Sequence, residues 1–213
     1  MKTEEKNTFR SLSPGKKVRY ILDYYKLPLF LTALVLLICV SVIHAKMTRK
    51  DAVLGVAAVN FEAGPALTRK LSTDFLTEAG IDPGRSKINF AGKLVLTGKD
   101  EDVSGYAYAS SLKIIAMIEA EQMDVAIMNE KAYRIFLAGN YLQKLDRGIT
   151  ASLPKDTAVL SEEGKAVICR NGSGIFQDSG ISGDLYIGII ANTRHPDTAA
   201  SYLHYLLHGD INE

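Results

Sequence analysis

The sequence predicts an α/β domain, with a single, mostly parallel sheet flanked by helices, behind one N-terminal transmembrane helix. Three observations support this prediction. An uncharged apolar run occupies residues 27–43, strand and helix patterns alternate three times over residues 52–140, and an apolar strand followed by an amphipathic helix ends the chain. Strands and helices that alternate through short right-handed crossovers form parallel sheets with helices on their faces.

The apolar run, Leu27 to Ile43, contains seventeen residues, of which only Thr32 and Ser41 are polar. A helix of this length covers about 26 Å, near the short limit for a bilayer core, and flanking residues can extend it. We therefore predict a transmembrane helix over residues 25–45. Five Lys/Arg shortly before the run and three soon after it place residues 1–24 in the cytoplasm by the positive-inside rule.

The same run divides the charge of the chain. Residues 1–50 hold ten Lys/Arg and three Asp/Glu, so the other 163 residues keep fifteen Lys/Arg and twenty-one Asp/Glu. We predict a basic juxtamembrane hinge over 46–51 and an acidic extracytoplasmic domain over 52–213. The acidic charge argues against nucleic acid as the partner of that domain.

Two other functions of the apolar run fit the sequence less well than an anchor. The tripeptide ending at Ala45 loosely fits a signal-peptide cleavage site, but the run is longer than a usual signal core and no Gly or Pro breaks it just before that site. Lipid attachment at Cys39 requires a small residue before the cysteine, where this chain has Ile38. We therefore predict an uncleaved anchor.

Within the domain, the first half reads as strand, helix, strand, helix. Apolar residues 52–60 form a strand, and Pro65 opens a helix that ends near Gly80. Residues 87–98 form a second strand region with a bend or hairpin at Gly92. The next helix is predicted to place four apolar residues on its inner face. These are Tyr108, Leu112, Ile115 and Ile118.

The second half begins with a short apolar strand, 124–128, and a helix that Asn129 caps. Residues 146–184 read as an irregular excursion containing one strand at 165–169. A strand over 185–192 then returns to the core, and Pro196 opens the last helix. Its predicted inward stripe consists of apolar and aromatic residues. They are Ala199, Tyr202, Leu203 and Leu206.

Two stretches resemble extracellular solute-binding proteins of the type II periplasmic-binding fold. One is DVAIMNEKAYRIFLAGNYLQKLD, residues 124–146, with its strand, helix and Gly-containing turn; the other is YIGIIANTRHPDTAASYLHYLL, residues 186–207. The resemblance spans roughly residues 52–208 and implies a reduced form of that fold. The whole chain is also similar to uncharacterised single-pass membrane proteins of low-GC Gram-positive bacteria.

A ligand of an open α/β sheet binds at the carboxyl ends of the strands. Five residues follow predicted strands and are predicted to bind a ligand there. They are Asn60, Phe61, Asn129, Glu130 and Asn192. No catalytic residue, metal ligand or cofactor is predicted.

The predicted function is a solute-binding-like or protein-interaction module, accessory to a transporter or envelope system. Its partners are the membrane and either a small solute or a membrane protein such as a transporter permease. The alternative is a cell-envelope hydrolase that uses a Ser/Asp-rich loop or the C-terminal histidines. The residues concerned are Ser179, Ser182, His204 and His208.

The C-terminal histidine pair and the single cysteine of the outer domain have simpler interpretations. His204 and His208 have the spacing of a shared metal site, but no Glu lies between them and no third ligand is obvious. Cys169 is the only cysteine of the outer domain, so no disulfide forms within it. We interpret this cysteine as a buried small hydrophobic residue.

Overall fold

The computed structural model describes most of the chain, in nine stretches. They are residues 26–47, 49–98, 105–146, 148–149, 154, 158–170, 173–177, 179–181 and 183–209. The predicted cytoplasmic segment 1–24 and Ser182 lie outside the described residues. The chain divides into two compact units, Met1–Arg49 and Lys50–Glu213.

Helix α1, Lys26–Met47, is the described part of the first unit. Its residues 26–44 have a mean hydropathy of 2.5. Among the described helices, α1 alone is long and apolar enough to cross a membrane. Large apolar side chains are exposed along its length, among them Leu27, Phe30 and Leu37. Apolar side chains all round a helix of this length are typical of a bilayer-spanning segment.

The second unit contains one six-stranded sheet, and its first three strands are parallel. Strand β1, Asp51–Val59, lies between β2, Ser86–Leu94, and β3, Val125–Met128. The chain is buried without interruption from Leu54 to Val59, because helices cover both faces of this central strand. Strand β2 runs on through Gly92 with a register shift, so of the predicted bend or hairpin the hairpin is wrong and the strand has a local irregularity instead.

The other three strands are antiparallel to their neighbours and complete the order β2-β1-β3-β6-β5-β4. They are β4, Ala158–Leu160, β5, Val167–Cys169, and β6, Leu185–Ile189. The α/β class is confirmed, but the expectation of a mostly parallel sheet is wrong, because the sheet is mixed. Residues 161–166 join β4 to β5 directly, and so short a link permits a hairpin but not a parallel crossover.

Helices cover both faces of the sheet. One face carries a continuous helical stretch made of α2, Pro65–Arg69, a π-helical turn, Lys70–Asp74, and α3, Phe75–Glu78. The last helix, α6, Pro196–His208, packs on the same side, and its predicted inward stripe is buried as expected.

The other face is covered by α4, Gly105–Glu119, and α5, Glu130–Ala138. In α4 the buried residues are Ala107, Ser110, Ile114 and Ile118. The predicted inner face of this helix is therefore wrong at three positions, because Tyr108, Leu112 and Ile115 are exposed. Local periodicity identified an apolar stripe, but the packing of α4 on the sheet uses the adjacent one.

Candidate functional site

The side chains of Asn60 and Asn129 meet at the carboxyl edge of the parallel strands. Val59 is paired with Met128 across β1 and β3, so the residues that follow these strands are neighbours. Asn60 Nδ2 donates to Asn129 Oδ1 at 3.3 Å and to the carbonyl of Leu96 at 2.9 Å. Both asparagines lie at the carboxyl ends of parallel strands, as predicted, and their binding of a ligand stays a prediction.

Both amides are also committed to holding the backbone. Asn60 has a φ of 59°, a left-handed conformation that asparagine tolerates well, and its Oδ1 accepts from Leu96 N at 2.7 Å. Asn129 caps α5 by accepting from Ala132 N at 3.0 Å. The two asparagines thus form a rim next to two clefts, one lined by Asn60 and one by Glu130, and their amide oxygens already accept hydrogen bonds from the protein.

Asn192 does not join this rim. Strand β6 runs antiparallel to β3, so its carboxyl end lies at the opposite edge of the sheet. There Asn192 Nδ2 donates to the carbonyl of Ile118, at the end of α4, at 2.8 Å. The expectation that Asn192 shares an edge with Asn60 and Asn129 is wrong, because the sheet is mixed.

The first of the two clefts, the Asn60 cleft, has a volume of 530 Å³. It is lined by Asn60, Phe61, Glu62, Lys93, Leu94, Val95 and Tyr106. Glu62 forms a 2.5 Å ion pair with Lys93, and the hydrogen bond and charge of Glu62 raise the pKa of the lysine. The Tyr106 hydroxyl donates to the Lys93 carbonyl at 2.5 Å. The two charged groups of the Asn60 cleft, Glu62 and Lys93, are therefore paired with each other.

The second, the tyrosine cleft, lies between α5 and the turn that joins β4 to β5, and has a volume of 440 Å³. It is lined by Glu130, Tyr133, Arg134, Leu137, Ser161, Glu162, Glu163, Ile168 and Tyr186. The rings of Tyr133 and Tyr186 are stacked, with centroids 4.7 Å apart and planes 19° from parallel. Helix α5 supplies one ring and strand β6 the other.

Hydrogen bonds and charges fix the polar groups of the tyrosine cleft. The Tyr133 hydroxyl donates to Glu163 Oε2 at 2.7 Å. This bond lowers the pKa of Glu163, while burial raises the pKa of Tyr133 to about 12. Glu130 is paired with Arg134 at 2.5 Å. With Glu162, the cleft carries three carboxylates against one guanidinium, so it attracts hydrogen-bond donors and cations.

The residues of the hydrolase alternative do not form a catalytic group in the described part of the chain. Ser179 Oγ donates to the Phe176 carbonyl, three residues earlier, which is a local turn contact. The rings of His204 and His208 stack at 4.1 Å, and His208 Nδ1 lies 3.1 Å from the His204 carbonyl. Among the described residues, no group of three or more His, Cys, Asp or Glu side chains has a metal-binding arrangement.

Cys169 has the chemistry of a buried structural residue. Its side chain is almost fully enclosed in the core. Burial, and to a smaller extent the charge of Asp184, raise the pKa of the thiol to about 12. The reactive thiolate is therefore suppressed at neutral pH, in agreement with the sequence interpretation.

Sequence reasoning missed a buried carboxylate at the opposite edge of the sheet. Asp124, only 1% exposed, accepts from Gly55 N at 2.6 Å and from the Thr193 hydroxyl at 2.5 Å. His195 Nδ1 lies 3.2 Å from the same carboxylate. An Asp directly before an all-apolar strand is the signal that could have identified it, since buried carboxylates require hydrogen-bond donors.

The Asp124 cluster ties the turn before α6 to the middle of β1, at Gly55, and to the start of β3. Backbone bonds strengthen the same link, because Asp124 N donates to the Gly55 carbonyl and Ile190 N to the Asp124 carbonyl, each at 2.8 Å. The Thr193 oxygen also accepts from His195 N at 3.1 Å. These contacts give the cluster a role in stabilising the fold.

Comparison with known proteins adds no information about the fold and clefts described above. No family model, curated protein or solved structure matches the chain.

Proposed function

We propose that this chain is a membrane-anchored, extracytoplasmic, solute-binding-like module that holds a small polar solute in the tyrosine cleft and serves a transporter or another envelope system. The observation that carries the proposal is the tyrosine cleft. It combines an aromatic pair, three carboxylates and a volume of 440 Å³. Small-molecule sites have volumes of roughly 300–1,000 Å³ and use a few placed polar groups on an apolar frame.

The anchor supports the location. Helix α1 has the length and hydropathy of a bilayer-spanning segment. The larger number of Lys/Arg before it favours a cytoplasmic location for residues 1–24. The net acidic charge of the domain that follows agrees with a surface outside the cytoplasmic leaflet. The domain would then meet its ligand at the cell envelope.

The fold supports a reduced type II periplasmic-binding-like domain. The described residues of the second unit contain one sheet with helices on both faces, which corresponds to a single lobe. A one-lobed protein lacks the closing clamp, so its ligand would be held by the rim and wall of a surface cleft. Such a site favours fast exchange and modest affinity, properties that suit delivery to a neighbouring membrane protein.

The chemistry of the cleft defines the ligand class. Carboxylates accept hydrogen bonds from hydroxyl or ammonium groups, and the half-exposed Tyr186 offers a ring against which an apolar sugar face or a cation can lie. The ligand is therefore a polyhydroxylated or cationic small solute. Anionic solutes are disfavoured by Glu130, Glu162 and Glu163.

A soluble fragment that begins at Lys46 tests the proposal by thermal shift against sugars, amino acids, cationic amines and short peptides. A true ligand raises the unfolding temperature of this fragment in a concentration-dependent way. Tyr186→Ala and Glu162→Gln, two changes at the cleft wall, should abolish that rise. Glu62→Gln in the Asn60 cleft is the matched control and should leave it unchanged.

Failure of every solute class to stabilise the fragment would reject the solute-binding version. The protein-interaction version would then be tested by crosslinking the full chain in cells, with a transporter permease as the expected product. A permease captured by wild-type chain but lost in Tyr186→Ala would identify the cleft as the docking site.

A further inference from the structure

An exposed apolar stripe runs along α4. Among the described residues outside α1, the exposed large hydrophobic side chains are all on this helix, at Tyr106, Tyr108, Leu112 and Ile115. The last three are 61%, 50% and 44% exposed and follow one another at spacings of four and three residues, so they share one helix face. A grouped apolar surface of this kind marks an interaction site.

Small residues flank the stripe in a regular way. Gly105, Ala109 and Ala116 are exposed beside it, and Glu119 extends it by one more turn. Each large side chain thus has a small neighbour on the same face. A face of this type offers both ridges and grooves to a second helix.

The stripe is self-complementary when its direction is reversed about Leu112. In an antiparallel pair of α4 helices, Tyr108 of one copy lies opposite Ala116 of the other, and Ile115 lies opposite Ala109. The two Leu112 side chains meet on the symmetry axis. Glu119 then approaches the first turn of the other helix, at Gly105, where the positive end of the helix dipole favours a negative charge. A two-fold interface requires this correspondence of one surface with itself.

Parallel pairing does not have these properties. It would place Tyr108 against Tyr108 and Glu119 against Glu119, which joins two large rings and two like charges. The antiparallel arrangement removes both conflicts. The side chains of the stripe therefore favour antiparallel over parallel pairing of two α4 helices.

We infer that the α4 stripe is the contact between two copies of this chain, packed as an antiparallel helix pair centred on Leu112. The stripe from Gly105 to Glu119 is about 21 Å long at about 1.5 Å per residue. One helix face of this length buries less surface than the roughly 800 Å² per partner of a stable interface. Copies held on one membrane meet at a raised effective concentration. The pair consequently forms between anchored chains and dissociates when the domain is released.

Disulfide trapping of the full chain in cell membranes tests this contact. The background is Cys39→Ser, which leaves only the buried Cys169. Leu112→Cys lies on the axis and should form a disulfide dimer under mild oxidation. Lys113→Cys, also exposed but on another face, is the matched control and should remain monomeric. Equal trapping at the two positions would overturn the inference.

Mixed trapping tests the direction of the helices. Two differently tagged chains, one with Ala109→Cys and one with Ile115→Cys, should crosslink to each other. In the antiparallel pair, two copies of position 109 are about 9 Å apart along the axis, beyond the reach of a disulfide once the helix separation is added. Same-site dimers at 109 and 115 with no mixed dimer would overturn the antiparallel contact.

Leu112→Glu separates this contact from any pairing of the membrane helices. It should remove the mixed crosslink, whereas Lys113→Glu should leave it unchanged. A mixed crosslink that survives Leu112→Glu would show that another surface brings the copies together. Thermal unfolding of the two variants should be alike, because both positions are exposed.

Discussion

The hydroxyl of Tyr202 donates a 2.7 Å hydrogen bond to the backbone carbonyl of Leu71, 131 residues earlier in the chain. Tyr205 makes a similar bond, 3.1 Å long, to the carbonyl of Lys70. Both acceptors lie in the π-helical turn between α2 and α3. Widened helical turns misalign backbone acceptors, and α6 supplies the donors that satisfy them.

Tyr202→Phe should destabilise the domain by about 1–3 kcal/mol, because it leaves a buried carbonyl without a donor. Tyr202 is fully buried, and burial raises its pKa well above 10, so the hydroxyl donates throughout the neutral range. Urea denaturation of the Lys46 fragment measures the loss. Tyr205→Phe is the control and should cost less, since its hydroxyl is partly exposed. Equal stability of Tyr202→Phe and wild type would contradict the assigned role.

Asp124→Asn should destabilise the domain by at least about 1.5–3 kcal/mol, the value of one hydrogen bond to a charged group. The amide cannot accept at both of its terminal atoms, whereas both carboxylate oxygens of Asp124 accept hydrogen bonds. Thr193→Ser keeps the hydroxyl donor and is expected to be much milder. Similar denaturation midpoints for the two variants would argue against a central role of the carboxylate.

Gly55→Ala should be among the most damaging single-methyl additions in the chain. A Cβ at this position would lie 1.9 Å from the Gln122 carbonyl oxygen and 3.2 Å from Met123 Cα. These are backbone atoms that cannot rotate away, so the cost lies at or above the roughly 1–3 kcal/mol of ordinary overpacking. Gly98→Ala, with no atom within 4 Å of its Cβ position, should be tolerated. Thermal unfolding of both fragments would decide, and a stable Gly55→Ala variant would refute the close approach.

Tyr133→Phe should make the stability of the domain less sensitive to acid. The hydrogen bond from Tyr133 lowers the pKa of Glu163 below 4.5. A carboxyl with a lowered folded-state pKa stabilises the fold above its unfolded pKa and loses that contribution as the pH falls through the folded value. The variant should therefore be weaker than wild type at pH 6 and more nearly equal to it at pH 3.

Tyr186→Phe is the control for this pH dependence, because it retains the ring stack and the Tyr133 donor. Denaturation midpoints at several pH values give the comparison. An identical pH profile of stability for Tyr133→Phe and wild type would show that the hydrogen bond from Tyr133 does not lower the pKa of Glu163.

Local patterns were sufficient where the signal is carried by neighbours in the chain. Asn129 was recognised as a helix cap from its position after an apolar strand, and Ala132 N does donate to it. The stripe of α6 was recognised from its period, and Tyr202 and Leu206 are buried. Caps and amphipathic faces depend on residues within four positions of each other, so a sequence contains them directly.

Local patterns do not predict how strands and helices that are distant in the chain pack together. The orientation of β6 beside β3 depends on where the chain re-enters the sheet after residues 146–184, and no local period records that direction. This is why Asn192 was expected beside Asn60 and lies at the other edge. In the same way α4 has two adjacent apolar stripes, and only the sheet selects the one with Ile114 and Ile118.

By itself, the sequence determined a bilayer-length apolar helix, an acidic α/β domain and the position of Asn60 and Asn129 directly after strands. Tertiary structure decided that the sheet is mixed, that Tyr133 and Tyr186 stack in a cleft, and that Leu112 faces outward. The physical reason is the range of the forces involved. Hydropathy and capping act between close neighbours in the chain, whereas burial and hydrogen-bond satisfaction pair residues that only the folded chain brings together.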